Sequence, residues 1–290
     1  MVLDLLNILL PIYGSIALGF FLGRLGFCWD SKVISPLVLQ VTFPLLVIHQ
    51  LTRPGIHSSN VLRVLLAAFI VASLLFVIFA VLLRIARLSL QTYLAPAALA
   101  NMSIGLALGM HGFGNQGFVL SLAFGVVILL AQFTLGRWLP NGEINIKTIL
   151  RQVFLYALIL GIALLFLGVH LPPYLGETLH LVGQLTIPLL LLSLGFALAK
   201  VSLHGFARGM LLATIRLAVC VAIGIGVAWA LSLQGQEKAI VILMSILPSS
   251  TVNILMGQEA GIDMEPVTIF ITCTNLWLLV SLPVALALLL

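Results

Sequence analysis

The side chains best able to do chemistry in this chain stand together at Leu247-Pro248-Ser249-Ser250-Thr251-Val252-Asn253, inside an apolar segment running from about Ala239 to Met256. Pro248 has no N–H and clashes with the preceding turn, so a helix must break or kink there. The polar side chains of Ser249, Ser250, Thr251 and Asn253 follow directly. In hydrocarbon, backbone groups freed by a break are costly unless protein or water satisfies them, so such a stretch is tolerated only where it lines a cavity or the protein interior. Broken helices of this kind form the substrate site in many secondary transporters. The chemistry on offer is non-covalent. Hydroxyls and an amide can donate and accept, beside helix N-termini whose unsatisfied N–H groups suit a carboxylate. The competing reading is a kinked, packed helix whose Ser and Thr bond to neighbouring turns.

The elements that must position this stretch are membrane spans. The chain has 290 residues, 62% hydrophobic and 7% charged, against roughly 25% charged in soluble domains. Its apolar runs are continuous over about 20 residues, which implies helices and not the alternating strands of a membrane barrel. The expectation is an all-α membrane protein of about ten spans: 5–22, 33–51, 61–83, 92–110, 118–135, 153–169, 179–199, 210–231, 239–256 and 267–289. The polar stretch from Pro140 to Lys147 is the candidate linker. It divides the chain into a first five-helix repeat (1–139), a cytoplasmic linker (140–151) and a second repeat (152–290). The first span has neither a basic start nor a cleavage site and is read as a retained helix.

The halves resemble one another. Gln40-Val41-Thr42-Phe43-Pro44-Leu45-Leu46 matches Gln184-Leu185-Thr186-Ile187-Pro188-Leu189-Leu190 at five of seven positions. Leu65-Leu66-Ala67 matches Leu211-Leu212-Ala213 at a similar offset. An odd number of spans per copy inverts the second copy, so the halves should be related by a pseudo-two-fold axis in the membrane plane. The fourth span then corresponds to the ninth, and Asn101-Met102-Ser103-Ile104-Gly105 becomes the partner of the Pro248 stretch. Two breaks at symmetry-related places favour a binding site over a simple kink.

Lys and Arg set the orientation. One side carries Arg24, Lys32, Arg84, Arg87, Arg137, Lys147, Arg151, Lys200 and Arg208; the other carries Arg53, Arg63 and Lys238. The first side is therefore expected to be cytoplasmic, with both termini outside. The basic balance reflects these loops and implies no nucleic acid. Arg216 lies about 15 Å into its span by the helical rise, where its charge is expensive; it could attract an anion, form a gate, or bond a carbonyl. Thr42 and Thr186 are expected to bond carbonyls that Pro44 and Pro188 free, which makes these four residues helix-kink positions. His49 and His111 read as solvated residues at span ends, and Gln132, Thr272 and Asn275 as interhelical glue. Cys28, Cys220 and Cys273 show no metal or disulfide spacing. No cofactor or metal site is expected.

Taken together, these residues resemble the auxin efflux carrier family in its bacterial form. Leu10-Pro11-Ile12 with Gly19-Phe20-Phe21-Leu22-Gly23 is similar to the family's opening helix, Leu247 to Asn253 to its proline crossover, and Thr272 to Pro283 to its last helix. The resemblance implies two inverted five-helix repeats with broken, crossing helices four and nine, and export of a small organic anion. It also implies carboxylate binding at Asn101 and Asn253, with Ser103, Pro248, Ser249, Ser250 and Thr251 around them. Gly105-Leu106 is followed by Ala107 where the family usually has proline, so the first crossover is expected to be less sharply broken. The long cytoplasmic loop of the plant members is missing.

Two other readings stay open. A Na⁺-coupled symporter of the bile-acid type on the same fold would need a cage of oxygen ligands near the breaks. A non-transporting sensory module would not need paired polar breaks. Paired carboxylates, a His-Glu-x-x-His run and a Ser/His pair at helical spacing are all absent, so an enzyme is not expected. Substrate, direction, coupling and oligomeric state stay open, a homodimer included.

Overall fold

The computed structural model describes residues 2–53, 58–142, 152–169, 171–199 and 205–289. Most of the expected linker, with Lys147 and Arg151, and also Lys200, lies outside the described residues. Those residues are helical, with no strand among them. Their helices are α1 (Val2–Arg24), α2 (Ser31–Leu37), α3 (Phe43–Leu51), α4 (Ser58–Ile85), α5 (Leu90–Ala98), α6 (Met102–Phe133), α7 (Leu135–Asn141), α8 (Val153–Phe166), α9 (Pro173–Gly183), α10 (Thr186–Ala199), α11 (Phe206–Ala230), α12 (Gly235–Ile246), α13 (Val252–Glu259) and α14 (Glu265–Leu289).

Among the described residues, seven helical stretches are long and apolar enough to cross a membrane: 6–24, 33–51, 60–85, 102–140, 173–199, 206–230 and 265–289. The expected fourth and ninth spans are missing from this set because each is broken into two short helices, α5 with the start of α6, and α12 with α13. The expected sixth span is the shorter apolar helix at Val153–Leu165. The expected fifth follows Gly114, whose φ of 65° and ψ of −154° interrupt α6. The chain turns back at that residue. Gly109 packs against Gly117 and Ser121, although a straight helix would hold Gly109 and Gly117 about 12 Å apart.

The helices are patterned for lipid. α4 turns Val64, Ala67, Ala68, Val71 and Leu75 inward, while Leu62, Leu66, Phe69, Val77 and Val81 stand exposed. Large apolar side chains on the outside would make a water-exposed surface aggregate; in a bilayer they are solvated by lipid tails.

Two groups of helices result. α1 lies along α10, and α3 packs on α8 and α9. Around them, α4 packs on α5 and α6, α11 on α12 and α14, and α12 on α6. The α1–α10 contact is close enough that a Cβ on Gly19 would meet the backbone of Leu192, and one on Gly195 the carbonyl of Ile16, so small residues are required at the crossing.

The repeated Gln-x-Thr-x-Pro-Leu-Leu motif spans the starts of α3 and α10. Pro44 is the second residue of α3 but lies within the continuous helical stretch Val33–Leu51, so its missing N–H falls inside a helix, while Pro188 is the third residue of α10. Before Pro44, residues Val38–Thr42 form a π-helical turn, with the Phe43 N–H bonded to Val38 O. Thr42 and Thr186 are fully buried, and the Thr186 hydroxyl donates to the Thr42 hydroxyl at 2.9 Å. The expectation that each threonine caps a carbonyl in its own helix is thus corrected for Thr186. The two copies of the motif face each other closely enough to bond across the gap. His49, expected to be solvated, is buried with its ring 5.0 Å from that of His180.

Candidate functional site: the crossing of two broken helices

α5 ends at Ala98 because Leu99, with ψ of 122°, and Asn101, with ψ of 102°, are extended. α12 ends at Ile246 because Leu247 takes ψ of 148°, the conformation a following proline imposes. The two extended segments run antiparallel and pair, with a bridge between Ala100 and Ser249. The Asn101 N–H donates to Pro248 O at 2.7 Å, and the Ser250 N–H donates to Leu99 O at 3.2 Å. Each break therefore supplies the hydrogen bonds that the other lacks, which makes non-helical backbone tolerable at this depth. The Ser249 N–H donates to Thr274 Oγ1 on α14 at 3.1 Å.

The first break falls just before Asn101, not across Asn101 to Gly105. Gly105 sits inside α6 and packs against Met244 and Leu247. The sequence signal for this position is Pro96 in the last turn of α5, which weakens the helix shortly before it ends.

Both restarting helices carry their polar side chains at the N-terminus. Asn101 caps α6, its Oδ1 accepting from the Ser103 N–H at 3.1 Å. This is the N-cap bond that asparagine favours. Asn253 lies in the first turn of α13; its Nδ2 donates to Ser250 O at 3.1 Å, and its Oδ1 accepts from Gln132 Nε2. Asn101, Pro248, Ser249, Ser250 and Asn253 are buried, and Ser103 and Thr251 half-buried. The structure thus brings the residues named for both crossovers into one place. It keeps Thr42, Pro44, Thr186 and Pro188 in the other helix group, at the starts of α3 and α10.

Arg216 belongs to the same place. It is 2% exposed, on α11. Its Nε donates to Ala97 O at 2.9 Å and its Nη1 to Leu247 O at 2.8 Å. These carbonyls belong to the C-terminal ends of α5 and α12, the ends that carry partial negative charge. Nη2 is buried without a hydrogen-bond partner, as is Ser249 Oγ. Buried polar atoms of that kind are rare and call for a reason. Gln132, expected to be interhelical glue, does bond across helices at the crossing, and Thr274 is a residue there that sequence reasoning left aside. Gln132 is 121 positions from the asparagine it bonds, so no local spacing could have paired them.

A family model described as a membrane transport protein matches residues 141–286, just over half of the chain. The chain belongs to the auxin efflux carrier family of membrane transport proteins. It is also similar, at 23% identity over 96% of its own length and 97% of the relative's, to a protein of Methanocaldococcus jannaschii described as an uncharacterized transporter. The carrier is therefore a multi-pass membrane transport protein and not an enzyme. Its matched region contains Arg216, the second break and most of α14. Among the described residues no group of three or more His, Cys, Asp or Glu could hold a metal ion.

Proposed function

We propose that the carrier moves a small organic anion, a carboxylate, out of the cell by alternating access, and that the anion binds where the two broken helices cross. One observation carries the reading. The extended segments that lead into α6 and α13 pair with each other, and at those two helix starts Asn101, Ser249, Ser250 and Asn253 are buried, with Ser103 and Thr251 half-buried. Two helix N-termini favour negative charge. Asparagine amides and serine and threonine hydroxyls donate hydrogen bonds to carboxylate oxygens. The Arg216 charge nearby adds attraction for an anion.

The architecture that goes with this reading is ten spans in two inverted five-helix repeats, with both termini outside the cell membrane. It is supported by the bond between Thr42 and Thr186, which stand at equivalent places in the repeated motif and are 144 positions apart. The pairing of α4 with α5 and α6, echoed by α11 with α12 and α14, supports it too. One helix group would rock against the other about the crossing.

The test is a binding screen of purified protein against small mono- and dicarboxylates, by thermal shift and calorimetry, repeated with Asn253→Asp and Asn253→Ala. A ligand whose affinity falls at least about 100-fold in Asn253→Asp, through charge repulsion with little change of shape, bears the reading out. A full set of small carboxylates with no ligand among them, or one bound by both variants as tightly as by wild type, sinks it.

A further inference from the structure

Arg216 bonds the groups a coupling cation would need. In carriers with broken spans, half-helix C-terminal ends and unwound carbonyls are where Na⁺ or H⁺ is held. Here two such carbonyls converge, Ala97 O from α5 and Leu247 O from α12. They are 2.9 and 2.8 Å from nitrogens of one guanidinium that is itself 2% exposed. Its own helix, α11, packs on both α12 and α4, so the guanidinium is delivered from the wall of the bundle.

We infer that Arg216 is a positioning residue that acts as a tethered cation. It takes the place that a bound metal cation would hold at the crossing, and frees the carrier from any requirement for Na⁺. The charge count agrees. Two C-terminal ends bring about −0.5 each and two N-terminal ends about +0.5 each. The guanidinium adds one full positive charge, because arginine stays protonated even when buried. The crossing is then positive by about one charge, with a carbonyl at each negative end covered by the guanidinium. This deepens the anion-carrier reading and rests on it only for the identity of the cargo. Nη2, buried and unbonded, remains as a donor on the same guanidinium.

The experiment uses the purified full chain and no organic acid, so it stands or falls apart from the carboxylate screen. Wild type should melt at one temperature in NaCl, KCl and choline chloride of equal ionic strength. Arg216→Ala should melt roughly 5–10 °C lower, since a broken buried interaction of this kind is expensive. Methylguanidinium should restore a good part of that loss; N-methylurea, of similar shape but neutral, should restore none. Arg216→Lys and Arg216→Gln separate charge from hydrogen bonding if the alanine variant does not fold. Lysine should melt above glutamine. Specific stabilisation of wild type by Na⁺, equal rescue by methylurea, no rescue by either compound, or glutamine melting at or above lysine would each overturn the inference.

Discussion

An arginine at mid-bilayer costs at least about 2.5–3.5 kcal/mol to insert, and Arg216 is tolerated because two carbonyls that would otherwise be orphaned accept from it. Hydrogen bonds to a charged group are worth about 1.5–3 kcal/mol each, enough to offset the insertion. The same reasoning applies to Asn253, whose amide is oriented from both sides. Its Nδ2 donates to Ser250 O, while Gln132 donates to its Oδ1. Gln132→Leu should therefore weaken binding of any carboxylate found in the screen about 5- to 10-fold, the worth of about one hydrogen bond. In an Asn253→Ala background the same change should have almost no further effect. Calorimetric titration of the single and double variants measures both. Equal effects in the two backgrounds would show that Gln132 does not act through Asn253.

At the scale of elements, the crossing stands because each broken helix completes the other's backbone pairing. Two further joints are specific enough to test. Thr42→Val alone removes the acceptor from the buried Thr186 hydroxyl and should cost about 1–2 kcal/mol. Replacing both threonines by valine should cost less than the sum of the single changes, because no polar group is left unpaired. Denaturation of the three variants decides it, and additive costs would count against the Thr42–Thr186 bond. The α1–α10 contact has no room for a side chain at Gly195. Gly195→Leu should be destabilising by more than about 3 kcal/mol, since the clash is with the backbone of the neighbouring helix and not with a movable side chain.

For the whole molecule, the charge pattern predicts the side on which each loop lies. Cys28, in the loop after α1, is exposed, while Cys220 and Cys273 are buried. A membrane-impermeant maleimide should leave intact cells unlabelled and should label inside-out vesicles at one site, lost in Cys28→Ser. Labelling of Cys28 in intact cells would reverse the proposed orientation. Among the described residues, two ion pairs join the halves within the α4–α7 and α11–α14 group: Arg63 with Glu237 at 3.2 Å, and Arg137 with Glu259 at 2.7 Å. Pairs with an exposed partner such as these contribute at most about 1 kcal/mol. The coherence of that group therefore comes from packing and from the crossing itself.

Continuous apolar runs and a near absence of charge left the chain no solvent but lipid, and helices follow because every backbone group must then be satisfied. That much, with the break at Pro248 and the repeated motif around Pro44 and Pro188, was legible residue by residue, since proline acts on its own neighbours. The contacts across the molecule were not. That Asn101 bonds Pro248, that Gln132 reaches Asn253, and that Arg216 caps two helix ends at once depends on segments distant in sequence. A polar residue in lipid must find a partner, but its own sequence says only that one exists. Tertiary packing chooses it.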